Sequence, residues 1–116
     1  MTRKAPVLEK DLQRAVIDLA ERLGWRVMHI HDSRREVRPG AFVGDREVRG
    51  WPDLTLVHPG KGRIMWRELK SSTGTLTDAQ RGWLHDLRCC GMDADVWTTE
   101  DWPIRISAEL QGASHG

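Results

Sequence analysis

Three charged residues are spaced in a way that suits phosphodiester hydrolysis. Asp53 follows Pro52 at the start of one predicted strand, and Glu68 and Lys70 lie near the end of the next. Because side chains alternate faces along a strand, Glu68 and Lys70 point the same way. Two carboxylates offer the hard oxygen ligands that Mg²⁺ prefers, and a lysine beside them can hold a phosphate or the attacking water. The pattern predicts a metal-dependent phosphodiesterase site.

The segment between these strands predicts how they meet. Residues 58–62, with the sequence His-Pro-Gly-Lys-Gly, are rich in turn formers. Segments 52–57 and 63–70 should therefore pair as an antiparallel hairpin. Such a hairpin places Asp53 alongside Glu68.

Hydrophobic periodicity predicts the elements around the hairpin. Apolar residues recur at three- and four-residue steps over 7–23, which indicates an amphipathic helix, and 25–31 alternates as a strand does. Further elements are expected as a helix over 78–90, a strand over 94–98 and a short helix over 101–110. The fold class is thus α/β, with a mixed four-stranded sheet flanked by helices.

The second predicted helix begins at Thr77, a favourable N-cap residue. Its expected apolar face consists of Ala79, Trp83, Leu84, Leu87 and Cys90. Of the adjacent Cys89 and Cys90, we expect one thiol in the core and one at the helix surface. Two neighbouring cysteines do not form a disulfide scaffold, so they indicate a reducing cytoplasm.

The bulk composition is that of an ordinary globular domain. With 116 residues, 30% of them charged and 39% hydrophobic, we expect one domain over 1–116, with loose tails at 1–6 and 112–116. No apolar run approaches the roughly 20 residues of a membrane span, and no signal peptide is evident. The net charge of +1 does not by itself indicate nucleic acid.

A long polar connection, residues 32–50, leads into Pro52-Asp53 and contains five arginines. Compact domains rarely keep so long an irregular segment without a use for it. Short strands could pair around Pro39-Gly40 or around Gly44-Asp45. Trp51 follows and could stack on a base, whereas Trp25, Trp83 and Trp97 fall at core-facing positions.

Taken in order, these motifs resemble the PD-(D/E)xK nuclease superfamily and, within it, a stand-alone VRR-NUC domain of the kind that bacteriophages carry. The matching features span roughly residues 8 to 105. They are Glu9 and Gln13, Gly24-Trp25, the 31–35 segment His-Asp-Ser-Arg-Arg, Gly50-Trp51-Pro52-Asp53-Leu54, Glu68-Leu69-Lys70-Ser71, Gly74-x-Leu76, Gln80-x-x-Trp83 and Val96-Trp97.

The resemblance implies a restriction-endonuclease-like αβββαβ core and a set of site residues. Mg²⁺, with Mn²⁺ as a substitute, would be held by Asp53, Glu68, Glu9 and the Leu69 backbone carbonyl. Lys70 and Gln80 would complete the catalytic set. Glu9 also has a simpler explanation, a favourable charge at the start of a helix, and Gln80 could contact Lys70 or the DNA backbone.

The resemblance also implies DNA as the partner. The expected contact residues are His31, Ser33, Arg34, Arg35, Arg38, Arg46 and Arg49. Stand-alone relatives of this type resolve Holliday junctions as homodimers, which implies branched DNA, a dimer and, for a phage protein, the bacterial host cytoplasm. A nicking, flap or plain-duplex nuclease and a non-catalytic DNA-binding module remain alternatives.

Overall fold

A mixed sheet between helices forms the body of the protein. The computed structural model describes residues 8–30, 35–38, 41–43 and 49–112, with side chains described for 8–30 and 49–112. Within these ranges the helices are α1 (Glu9–Arg22), α2 (Asp78–Cys89) and α3 (Ile104–Leu110). The strands are β1 (Arg26–His29), β2 (Arg35–Arg38), β3 (Ala41–Val43), β4 (Leu54–His58), β5 (Arg63–Lys70) and β6 (Asp93–Thr98).

The main sheet has the strand order β1-β4-β5-β6. β1 and β4 are antiparallel, as are β4 and β5, whereas β5 and β6 are parallel. The predicted hairpin is confirmed as β4 and β5, which are joined through a 3₁₀ turn at Pro59–Lys61 and Gly62 with a φ of 62°. The predicted α/β fold with a mixed four-stranded sheet is therefore confirmed.

A second, two-stranded sheet lies in the connection between β1 and β4. β2 and β3 pair antiparallel on either side of positions 39 and 40, so strands pair around the first of the two positions considered from the sequence. The side chains of these strands lie outside the described residues.

The hydrophobic core lies between the main sheet and the helices α1 and α3. Its fully buried members come from one face of each element: Leu12, Val16, Ala20, Leu54, Leu56, Met65, Leu69, Trp97, Ile106 and Leu110. Trp25 joins them and donates its indole N–H to the Leu110 carbonyl at 3.0 Å. The three- and four-residue period of α1 thus buries the stripe that the sequence predicts.

Two expectations about the helices are wrong. Cys89 and Cys90 are both exposed, because α2 buries only Leu84 and its last turn lies at the surface. The final helix begins at Ile104 and not at residue 101. Trp102 precedes Pro103 and has the extended backbone that this position favours, so the 3₁₀ turn at Thr99–Asp101 does not continue into α3.

No helix among the described residues has the length and apolar character needed to cross a membrane.

Candidate active site at the end of the hairpin

Asp53 is fixed beside β5 by the start of the hairpin. It directly precedes β4, whose first residue, Leu54, is paired with Arg67. The Asp53 Oδ2 atom accepts a hydrogen bond from the Leu69 backbone N–H at 2.8 Å. The carboxylate therefore lies against the strand segment that carries Glu68 and Lys70.

Glu68 is a buried carboxyl group in a negatively charged neighbourhood. Only 2% of its surface is exposed. Burial and the nearby charge of Asp53 raise the pKa of Glu68 to about 9, although Lys70 acts in the opposite direction. An ionised Glu68 thus needs more positive charge than Lys70 supplies, which is the condition that a bound cation relieves.

Gln80 approaches Glu68 from the first turn of α2. Its Nε2 group donates a hydrogen bond to Glu68 Oε1 at 3.0 Å. The other carboxyl oxygen, Oε2, is buried and has no hydrogen-bond partner among the described residues. One oxygen of Glu68 is therefore held in place while the second stays available.

Glu9 brings the start of α1 to the same site. Burial raises the pKa of Glu9, the charge of Asp53 raises it further, and Lys70 lowers it. The charges of Asp53 and Lys70 thus act on Glu9 as they do on Glu68, so four of the predicted site residues lie near one another.

The donor set fits a Mg²⁺ ion that keeps several waters. Within the described residues, no group of three or more His, Cys, Asp or Glu side chains is arranged to hold a metal. Mg²⁺ needs only one or two carboxylates, completed by waters and phosphate oxygens. The unpaired Oε2 of Glu68 and the carboxylate of Asp53 would supply such ligands. The Leu69 N–H is engaged with Asp53, and the role of the Leu69 carbonyl as a ligand stays a prediction.

Comparison with known proteins identifies the family. The family model of the VRR-NUC domain matches residues 43–101, half of the chain. The chain belongs to the VRR-NUC domain family. A solved structure titled "VRR_NUC domain" superposes with a TM-score of 0.60 at 20% sequence identity, over 91% of this chain and 97% of that one. No curated protein matches the chain.

The family match contains Asp53, Glu68, Lys70 and Gln80 of this VRR-NUC domain, whereas Glu9 lies before it. Arg49, also within it, is exposed. The remaining predicted DNA contacts lie outside the described side chains: His31, Ser33, Arg34, Arg35, Arg38 and Arg46. Arg35 and Arg38 have a described backbone, at the two ends of β2.

The segment before Asp53 is anchored on α2 of the VRR-NUC domain. The Trp83 indole N–H donates to the Arg49 carbonyl at 3.0 Å. Trp51 packs edge-on against Trp83, with ring centroids 4.9 Å apart. Trp83 is thus half-buried at this junction, outside the main core in which we expected it. Part of the Trp51 ring surface is covered by this contact with Trp83.

Sequence reasoning missed two relationships around the site. Thr77 was expected as an N-cap residue, but its connection to Glu68 through Gln80 was not. The spacing Thr-x-x-Gln is the signature of a capping box and could have indicated the bonds between Thr77 and Gln80, although not the bond to Glu68. The buried pair of Arg67 with Glu109 was also missed, because arginine and glutamate are usually exposed.

Proposed function

We propose that this VRR-NUC domain is a metal-dependent DNA endonuclease that hydrolyses phosphodiester bonds. The observation that supports the proposal most is the convergence of Asp53, Glu68 and Lys70 at one end of the β4–β5 hairpin in a member of this family. The perturbed pKa of Glu68 also supports it, because such shifts concentrate at functional sites.

Each residue of the site has a separate task in this proposal. Asp53 and Glu68 hold the metal, and Glu9 adds negative charge at its edge. A bound Mg²⁺ neutralises the charge that builds on the scissile phosphate. Lys70 supplies a compact positive charge that holds a phosphate oxygen or orients the attacking water. Gln80 keeps the carboxylate of Glu68 in position.

The substrate that we propose is a branched duplex, the four-way junction in particular, cut by a homodimer. A two-fold dimer presents two identical sites, which matches two opposed strands of a junction. Arg49 is exposed three residues before Pro52, where an arginine can follow the phosphate backbone that supplies most nucleic-acid affinity.

The test is cleavage of a substrate panel by the purified protein with Mg²⁺. The panel comprises a four-way junction, a flap, a nicked duplex, a plain duplex and a single strand. Lys70→Ala protein and an EDTA lane serve as controls. We expect paired symmetric nicks in the junction, absent from both controls.

The other outcomes separate the alternatives. Cleavage of flaps or plain duplex would keep the nuclease and reject the junction as substrate. Binding without cleavage, unchanged by Lys70→Ala, would identify a non-catalytic DNA-binding module. Mn²⁺ in place of Mg²⁺ should support cleavage, since both ions accept carboxylate and water ligands.

A further inference from the structure

The N-cap of α2 is connected to the candidate active site through one side chain. Thr77 caps the helix, and Gln80, three residues later, reaches both Thr77 and Glu68. We propose that Thr77 is a positioning residue, which acts through Gln80 to orient the Glu68 carboxylate for a divalent cation. This inference rests on the proposed function, because it takes Glu68 as a metal ligand.

The bonds between Thr77 and Gln80 fix the Gln80 side chain. The Thr77 hydroxyl oxygen accepts the Gln80 backbone N–H at 3.1 Å. In return, Gln80 Oε1 accepts the Thr77 backbone N–H at 2.9 Å. Because the amide group is planar, anchoring Oε1 at the helix start also sets the direction of Nε2. That group then donates to Glu68 Oε1 at 3.0 Å.

The chemistry of the third helical position explains why a glutamine serves here. Glutamate and glutamine both complete a capping box, since each offers an oxygen to the N-cap N–H. Only glutamine has a second group that donates onward. A glutamate at position 80 would instead add a negative charge beside Asp53 and Glu68.

The bond from Gln80 restricts the orientation of the Glu68 carboxylate. With Oε1 of Glu68 engaged by Gln80, the oxygen left without a partner is the buried Oε2. A carboxylate held by one oxygen presents the other in a single direction. Partners of this kind orient metal ligands, and their loss typically weakens metal binding by about 10–100-fold.

A capping box alone does not make its N-cap residue a positioning residue. A second capping box in the protein serves as the comparison. Thr98 and Asp101 form the same reciprocal pair at the turn Thr99–Asp101. There the Asp101 carboxylate accepts a hydrogen bond from Arg105 and not from a residue of the candidate site. The onward bond to Glu68 is what distinguishes Thr77.

The test separates positioning from helix stability by adding a compensating substitution. Thr77→Ala removes the hydroxyl oxygen that caps the helix and should destabilise α2 as the loss of an N-cap residue usually does. Gly82 lies inside α2, and a Cβ there would meet nothing within 4 Å, so Gly82→Ala should restore helix stability. The double variant should unfold at about the wild-type temperature.

The readout is Mn²⁺ affinity without DNA, measured by calorimetry on wild type, T77A/G82A, T77S and G82A. We expect the dissociation constant of T77A/G82A to rise about tenfold, while T77S and G82A stay near wild type. Equal affinity in T77A/G82A and wild type, at restored thermal stability, would overturn the proposal.

A metal-free readout keeps the two proposals distinguishable. In wild type, the Gln80 side-chain NH₂ should give two well-separated NMR signals that exchange slowly, and in T77A/G82A the signals should converge and exchange faster. If wild type binds no Mn²⁺, the metal-dependent function fails, and the positioning claim is then decided by these signals. Unchanged signals in T77A/G82A would reject it.

Discussion

Arg67 and Glu109 form an ion pair inside the protein. Arg67 Nη2 lies 2.9 Å from Glu109 Oε1, and the two side chains are 0% and 3% exposed. The Trp97 indole N–H donates to the same oxygen at 3.0 Å. Arg67 belongs to β5 and directly precedes Glu68, whereas Glu109 belongs to α3. The pair therefore ties α3 to the strand that carries the candidate site.

Glu109→Gln should destabilise the fold strongly, because it removes the buried carboxylate charge that pairs with the Arg67 guanidinium. Loss of one partner of a buried ion pair costs about 3–5 kcal/mol. We expect about 3 kcal/mol, since Asp93 also lies 2.8 Å from Arg67. Urea denaturation measures the loss. Glu100→Gln, at an exposed glutamate, is the matched control, and equal stability of the two variants would contradict the prediction.

The same carboxylate should make stability depend on pH in the acid range. Burial alone would raise the pKa of Glu109, but hydrogen bonds from Arg67 and Trp97, together with the charge of Arg67, bring it below its ordinary value of 4.5. A carboxyl group with a lowered folded pKa stabilises the folded state above its unfolded pKa, and this stabilisation is lost as pH falls through the folded pKa.

We therefore expect the free-energy difference between wild type and Glu109→Gln to be constant near neutral pH. It should shrink as pH falls below 4.5, the ordinary value. Urea titrations of both proteins from neutral to strongly acidic pH measure the difference. A gap that persists in strong acid would show that the carboxylate charge is not its source.

Gly50→Ala should disturb the contact between the segment before Asp53 and α2. Gly50 has a φ of 80°, and a Cβ there would lie 2.6 Å from the Ala79 carbonyl carbon. Gly91 has a similar φ of 78° with nothing within 4 Å. Gly91→Ala should thus be destabilising only through the strain of its left-handed backbone, whereas Gly50→Ala adds a steric overlap with Ala79.

We expect Gly50→Ala to lose about 1–3 kcal/mol more than Gly91→Ala, the usual cost of overpacking. Thermal and urea unfolding of the two variants give the comparison. Similar losses in both would mean that α2 moves aside at little cost.

Trp83→Phe should loosen the backbone at Arg49. The substitution keeps an aromatic ring against Trp51 but removes the indole N–H that binds the Arg49 carbonyl. A hydrogen bond of this kind contributes about 1 kcal/mol, which corresponds to about a fivefold change in local opening. Trypsin cleavage after Arg49 should accelerate accordingly, measured against cleavage after the exposed Lys61. An unchanged ratio of the two cleavage rates would show that this hydrogen bond does not restrain the backbone at Arg49.

Local patterns in the sequence determined much of the fold and the centre of the candidate site. The turn at 58–62 and the alternation of β5 bring Asp53, Glu68 and Lys70 together, since a hairpin joins residues through a short connection. The stripe of α1 and the mixed sheet followed from periodicity in the same way.

Tertiary structure alone decided the relationships between elements. The pairing of Arg67 with Glu109 joins residues 42 apart, and the bond from Gln80 to Glu68 depends on how α2 lies beside β5. The exposure of Cys90 likewise follows from how little of α2 is covered. Periodicity gives each helix an apolar face, but the area of that face that becomes buried, and which polar groups meet, depend on packing between distant segments. For this reason the sequence predicts the two carboxylates and the lysine, and its Thr-x-x-Gln spacing is that of a capping box. The bond by which Gln80 reaches Glu68 is visible only in the folded protein.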